Sequence, residues 1–191
     1  MSDVVEIDVH APLLAALEER VRALEEVGKS APNPDSMNLL VFSGDRDRLM
    51  ASFVLATGAA ACGQDVSMFF TFWATPTLRK QGKSIGRKSL VERAFGWMLP
   101  KGVNQSKLSQ MDFCGIGRAM MQREMRQKNI ADLDQLISIA SDLGVKIRVC
   151  DMSMNLMGIH PDELIDYPGL EFCGAAQFAA SCSDANTTLF I

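Results

Sequence analysis

Val145-Lys146-Ile147-Arg148-Val149-Cys150-Asp151-Met152-Ser153-Met154-Asn155-Leu156-Met157-Gly158-Ile159 decides the fold, because a strand, Val145 to Val149, runs directly into one or two turns of helix. Just upstream, Ala131 to Leu143 has Leu133, Leu136, Ile137 and Ile139 at helical spacing and Gly144 at its C-terminus. Downstream, Leu170 to Phe172 reads as a short strand, Gly174 to Ser181 as a short helix and Thr187 to Ile191 as a terminal strand.

The same alternation extends toward the N-terminus. Asn38 to Phe42 is an apolar run closed by Ser43, Gly44 and Asp45, and Leu49 to Ala61 reads as a helix. Val66 to Trp73 is a second strand rich in Phe and Val, and Gly117 to Gln127 is helical. Strands separated by helices imply right-handed crossovers and a mainly parallel sheet of about five strands, covered on both faces. The expectation is an α/β protein with a three-layer α/β/α domain over residues 37–191. Ligand chemistry in such sheets gathers beyond the carboxyl ends of the strands.

Residues 1–36 stand apart. Pro12 to Val27 carries Leu13, Leu14, Leu17, Val21 and Leu24 on one face and charged residues around the other, an amphipathic helix ended by Gly28. Lys29 to Ser36, with Pro32 and Pro34, reads as a linker. The helix needs a surface to dock on, either a subunit partner or the body of its own chain. Residues 74–111 are too long for a plain connection and read as a lid or insertion. Their basic run, Arg79, Lys80, Lys83, Arg87 and Lys88, is a solvated turn or an anion-contacting flap, followed by the apolar patch Phe95, Trp97, Met98 and Leu99.

Composition narrows the function classes. The chain has 191 residues, 48% of them apolar, enough for a core of its own. A net charge of −4 gives no general attraction for nucleic acid or anionic lipid. Asp3, Glu6 and Asp8 stand where a secretory signal would need a basic start, so a cytoplasmic location is expected. Leu49 to Trp73 resembles a membrane span in hydropathy, but Gly63, Gln64 and Asp65 divide it, and it reads as buried core, so membrane association is not expected. The odd count of five cysteines fits reduced thiols rather than a disulfide framework. No CxxC pair and no His/Cys cluster has metal-ligand spacing.

Cys150 falls at the strand-to-helix junction. Unpaired backbone N–H groups and the helix dipole favour thiolate there, and thiolate is the form that attacks sulfur. Asp151 or Ser153 is placed to cap the helix, and Asp151 would oppose thiolate formation if it pointed at the sulfur. Packing as a small hydrophobe is the plainer account of any cysteine; by spacing alone the two readings stand level. Cys114 lies in Met111-Asp112-Phe113-Cys114-Gly115-Ile116-Gly117-Arg118, a glycine-rich turn entering a helix. It would face the same crevice, with Arg118 to hold a thiolate or an anion. Gly115-x-Gly117 lacks the full dinucleotide fingerprint. Cys173 follows a strand and precedes Gly174, which makes it a third cysteine at the same edge, but packing is the favoured account of it and of Cys182, and Cys62 reads as core. His160, beside Pro161, reads as a surface residue.

The stretch from Cys150 to Ile159 resembles the C-x-M-S-M-x-x-M-G-I signature of the DsrE/DsrF-like proteins, in the branch often labelled peroxiredoxin-like. Gly174-Ala175-Ala176-Gln177-Phe178 through Thr188-Leu189-Phe190-Ile191 is similar to that branch's closing helix and strand, and Met37 to Gly44 and Gly115-Ile116-Gly117 also fit. The resemblance covers about Met37 to Ile191. It implies a flavodoxin-like fold, oligomers, and a cysteine, matching Cys150, that carries sulfane sulfur as a persulfide between donor and acceptor proteins without metal or organic cofactor. The peroxiredoxin label implies no such activity, since no Thr/Pro-x-x-x-Thr-x-x-Cys arrangement is present. The expected site is Cys150 and Cys114, with Gly44, Gly115, Gly117, Arg118 and Ser153 around them. Two other functions remain open: a dithiol redox protein or sensor pairing Cys150 with Cys114, and a non-catalytic anion-binding or assembly subunit.

Overall fold

The computed structural model describes residues 10–80, 99–100 and 102–191. Five strands, β1 (Asn33–Val41), β2 (Asp65–Phe70), β3 (Lys146–Cys150), β4 (Leu170–Cys173) and β5 (Ala185–Phe190), form one sheet in the order β4-β3-β2-β1-β5. Neighbours β1–β2, β2–β3 and β3–β4 pair in parallel. β5 joins β1 through the Ile191 N–H to the Leu40 carbonyl (2.9 Å) and the Phe42 N–H to the Ile191 carbonyl (2.8 Å), the slanted pattern of parallel strands. The sheet is therefore wholly parallel. Its described helices are α1 (His10–Ser30), α2 (Arg46–Ala61), α3 (Ile116–Gln127), α4 (Leu133–Asp142), α5 (Asp151–Met157) and α6 (Ala175–Asp184).

Strand periodicity divides the core in two. Along β3, Ile147 and Val149 enter the main core with Leu39, Val41, Met68 and Phe70, packed against Leu49 and Phe53 of α2 and Leu133 and Leu136 of α4. Cys150, of opposite parity, faces the other side and packs with Phe69, Cys173 and Phe178. The physical cause is the strand order. β1 to β4 advance one way across the sheet, and the chain then returns past β1 to β5, so a right-handed crossover puts α6 on the opposite face. Helices on both faces give the three-layer, flavodoxin-like architecture expected from the sequence.

The stretch from Leu49 to Trp73 sends Leu49, Phe53, Ala56, Met68 and Phe70 fully into the core, while Val54, Leu55 and Trp73 are exposed. No helix among the described residues is long and apolar enough to cross a membrane.

Element ends differ from expectation where side-chain contacts decide them. β1 begins at Asn33, so Pro34 to Ser36 belong to a strand rather than a linker. Pairing with β2 starts only at Ser36, and Pro34, ahead of it, supplies a carbonyl to Asn186 (3.2 Å). β2 stops at Phe70 because the backbone turns at Phe72 (φ 45°) and delivers its N–H to the Ser153 hydroxyl at 2.9 Å. α4 starts where a capping box forms, the Gln135 N–H donating to the Asp132 carboxylate and the Asp132 N–H to the Gln135 side chain, each at 2.9 Å.

The chain forms two compact units, Met1–Asn33 and Pro34–Ile191. In the first, α1 leaves Leu13, Leu14, Leu17, Val21, Leu24 and Val27 between 48% and 69% exposed. Within the second, the expected insertion is described only at its ends. Phe72–Leu78 is a 3-10 helix that buries Ala74 to Leu78. Arg79 is not part of a solvated basic turn: it makes a buried ion pair with Glu163 at 2.7 Å, because the strand-like contact of Arg79 with Leu164 brings the two chains together. Lys80 pairs with Asp166 at 2.6 Å. Lys83, Arg87, Lys88, Phe95, Trp97 and Met98 lie outside the described residues, while Leu99 is buried.

Candidate functional site at the carboxyl end of β3

Cys150 closes β3 and is the N-cap residue of α5, with φ −70° and ψ 115°. Its side chain is buried, at 1% exposure. Burial, the largest single influence, pushes the thiol up. Against it, hydrogen bonds from the Ser153 hydroxyl and amide, the Thr71 hydroxyl and the Met152 amide favour the thiolate, and their sum leaves Cys150 below the ordinary cysteine range. Ser153, fully buried, lies at the centre of this arrangement: its oxygen is 3.0 Å from the Thr71 hydroxyl and accepts the Phe72 N–H. The ends of β2 and β3 and the first turn of α5 thus converge on one sulfur. Met154 and Met157 turn the other way into the main core, and Met152 is exposed.

Cys173 is the direct register partner of Cys150, one strand over in β4. It is also buried, and burial first of all raises its thiol. Asp151, Cys150 and Glu171 add to that, and Arg148 opposes it. Phe178 of α6, stacked on Phe69 with centroids 4.6 Å apart, covers the cysteine pair, and half-buried Cys182 packs beside it.

The remaining expected site residues stand elsewhere. Cys114 is exposed and follows no strand; it sits in a 3-10 turn, Phe113–Gly115, at φ 57°. It is outside the buried cluster that holds Cys150. Gly115 (φ 96°) ends that turn and caps α3. A Cβ on Gly117 would collide with the Met111 carbonyl oxygen, so this glycine serves a close backbone approach. Arg118 donates to the Ser106 carbonyl at 3.2 Å rather than to a thiol. An apolar groove of about 610 Å³ flanks the turn, lined by Met111, Phe113, Ile116, Met120 and Met121. Gly44 lines a separate cavity of about 490 Å³ with Ser43, Asp45, Trp73 and Lys107, and a Cβ there would strike the Trp73 carbonyl oxygen. Cys150 lines neither space. Cys62, expected in the core, is exposed just past α2 because the helix ends there at the surface. His160 is exposed.

Sequence reasoning missed Thr71 as a sulfur partner and assigned Cys173 to packing. The signal for both is their position at carboxyl ends of strands, Thr71 just past β2 and Cys173 closing β4. Among the described residues, no group of three or more His, Cys, Asp or Glu side chains is placed to hold a metal ion.

Comparison with known proteins adds to this geometry. The chain is 38% identical over 153 residues to YrkE of Bacillus subtilis, an uncharacterized protein, covering 80% of this chain and 94% of that one. It is 28% identical over 161 residues to the sulfur carrier protein DsrE2 of Allochromatium vinosum, covering 80% and 96%. The crystal structure of the ychN protein from E. coli matches with a TM-score of 0.50 at 15% identity, covering 82% of this chain and 99% of that one, which bears on the fold alone. Residues 33–190 match the DsrE/DsrF/DrsH-like family from end to end of the α/β domain, and the chain belongs to that family.

Proposed function

We propose that this protein is a cytoplasmic sulfur carrier that relays sulfane sulfur as a persulfide on Cys150, with no metal or organic cofactor. The observation that carries the reading is the place of Cys150 at the junction of β3 and α5, beside Ser153 and Thr71, where neighbouring hydroxyls and amides favour thiolate in spite of burial. Similarity to a protein named a sulfur carrier supports the same class. In the forward step the Cys150 thiolate attacks the sulfane sulfur of a donor, and the donor's remaining fragment leaves with the electron pair. An acceptor thiolate then attacks the outer sulfur, and Cys150 leaves as thiolate, stabilised by the same hydrogen bonds.

Access comes from local opening of α6. That helix has no side-chain N-cap and buries only Phe178, while Asn38 and Ser36 of β1 bond it at Ser181 and Asp184, so opening starts from its less tied N-terminal end. Exposed Cys114, beside its apolar groove, is the second sulfur-bearing candidate in exchange with donor and acceptor proteins.

Self-association belongs to the same proposal. Leu14, Leu17, Val21 and Leu24 follow the three- and four-residue spacing of a coiled-coil seam, and two parallel copies would set Arg20 of one beside Glu25 of the other. Sedimentation of the Leu17→Glu, Val21→Glu double variant should show a smaller species than the parent; an unchanged size removes the helix from the assembly.

Intact mass after incubation with thiosulfate or inorganic polysulfide tests the carrier reading. Added sulfur that maps to Cys150, and one sulfur fewer in Cys150→Ser than in the parent, is the expected result. If sulfur is added equally to both proteins, Cys150 is not the carrier.

A further inference from the structure

We infer that Cys173 is a resolving thiol, which discharges the Cys150 persulfide to a Cys150–Cys173 disulfide and free hydrogen sulfide when no acceptor takes the sulfur. This rests on the carrier reading of Cys150 and goes beyond it, to a fate of the persulfide inside the subunit.

The geometry is that of directly paired residues. Cys150 and Cys173 are opposite one another in adjacent parallel strands and enter the same small cluster with Phe69 and Phe178. Neighbouring strands lie about 4.8 Å apart, within the Cα separations of about 4.4–6.8 Å that a disulfide spans. Cys114 has no such placement. The dithiol chemistry open to this fold therefore belongs to Cys150 and Cys173.

Pairing in register also selects the sulfur attacked. Register pairing and the shared cluster bring the Cys173 side chain toward the sulfur covalently attached to Cys150, the inner atom of the persulfide, whereas the outer atom extends about 2 Å beyond it. The deprotonated Cys173 sulfur attacks the inner sulfur, a new S–S bond forms, and the inner–outer bond breaks with its electron pair going to the outer sulfur. That atom leaves as hydrosulfide and takes up the proton lost by Cys173. The balance is Cys150–S–SH plus Cys173–SH giving the disulfide plus H2S. The outer sulfur is reduced to sulfide, Cys173 is oxidised, and no outside oxidant is consumed. Burial favours the thiol form of Cys173, which slows its attack.

The test loads the full-length protein with inorganic polysulfide, removes excess reagent, and follows intact mass and released sulfide over time. In the parent, added sulfur should give way to a species two hydrogens lighter than the reduced protein, with sulfide released in step and a Cys150–Cys173 peptide after digestion. Cys173→Ser and Cys173→Ala, two small replacements with different polarity, should keep the added sulfur and lose sulfide release, while Cys62→Ser, at an exposed cysteine outside the site, discharges like the parent. Discharge at the parent's rate in both Cys173 variants overturns the inference and leaves the carrier reading intact. Sulfur found on Cys173 rather than a disulfide overturns it as well. Failure of both the parent and the Cys173 variants to take up sulfur removes the carrier reading and this inference together.

Discussion

Two cysteine regions of this molecule are opposites. Cys150 is buried, on ordinary extended backbone, with donors from β2 and α5 on its sulfur. Cys114 is exposed, on a turn where Met111, Phe113 and Cys114 itself all have positive φ, among exposed Met111, Phe113, Ile116 and Met120. Non-glycine residues in that conformation are strained, by about 1 kcal/mol or more each. The contrast teaches that accessibility and activation are separated here: the acidified thiol is covered, and the reachable one has no described donor on it.

The strongest way to break this comparison is by sulfur loading. Cys150→Ser should remove the larger share of uptake from polysulfide and leave only the sulfur that maps to Cys114, while Cys114→Ser still loads Cys150, as read by peptide mass mapping; loss of Cys150 loading in Cys114→Ser would reverse the assignment. Next comes alkylation of the native protein by iodoacetamide. If opening of α6 costs about 3 kcal/mol, Cys150 reacts about a hundredfold more slowly than it does once α6 is open. Cys114 and Cys62 should react first, and equal rates at Cys150 and Cys114 would show that the cover is not closed.

A smaller effect sharpens the cause. Phe178→Ala removes the stack on Phe69 and should cost about 3 kcal/mol of stability in denaturant melts while raising the Cys150 alkylation rate. A stability loss without faster alkylation would move the cover from α6 to another segment. The smallest effect concerns acidity. In the Phe178→Ala background, the pH midpoint for Cys150 alkylation should lie below that of an ordinary cysteine, because its ionised form is favoured in the folded protein. Adding Ser153→Ala should move the midpoint upward, since one O–H donor is lost and the amides stay. A downward move would mean that the hydroxyl favours the thiol instead.

Much of the fold was legible because it is local. The run from Val145 to Ile159 shows its strand and helix by period, and Gly144 marks the turn ahead of it. Limits set by distant contacts were not legible: Phe72 leaves the strand direction to reach Ser153, 81 residues away in sequence, and Arg79 is drawn inward by Glu163. The site divided the same way. Cys150 stood out from its junction, and Ser153 as a candidate cap, although it serves the sulfur and Phe72 instead of capping the helix. Cys173 was legible as a residue at a strand's end but not as the partner of Cys150, because parallel register is set by packing of the whole sheet and leaves no mark near either residue. Cys114 misled because a glycine-rich entry to a helix looks the same with or without a strand before it.

Gly44 was expected to contact a ligand, and its missing side chain has a different use. The turn after β1 rests on the Trp73 carbonyl, and the next residue back, Phe72, gives its N–H to the oxygen that steadies the Cys150 sulfur. A single methyl at position 44 would push on that backbone like a wedge, and the strain would be passed to the thiol through a loop it never touches.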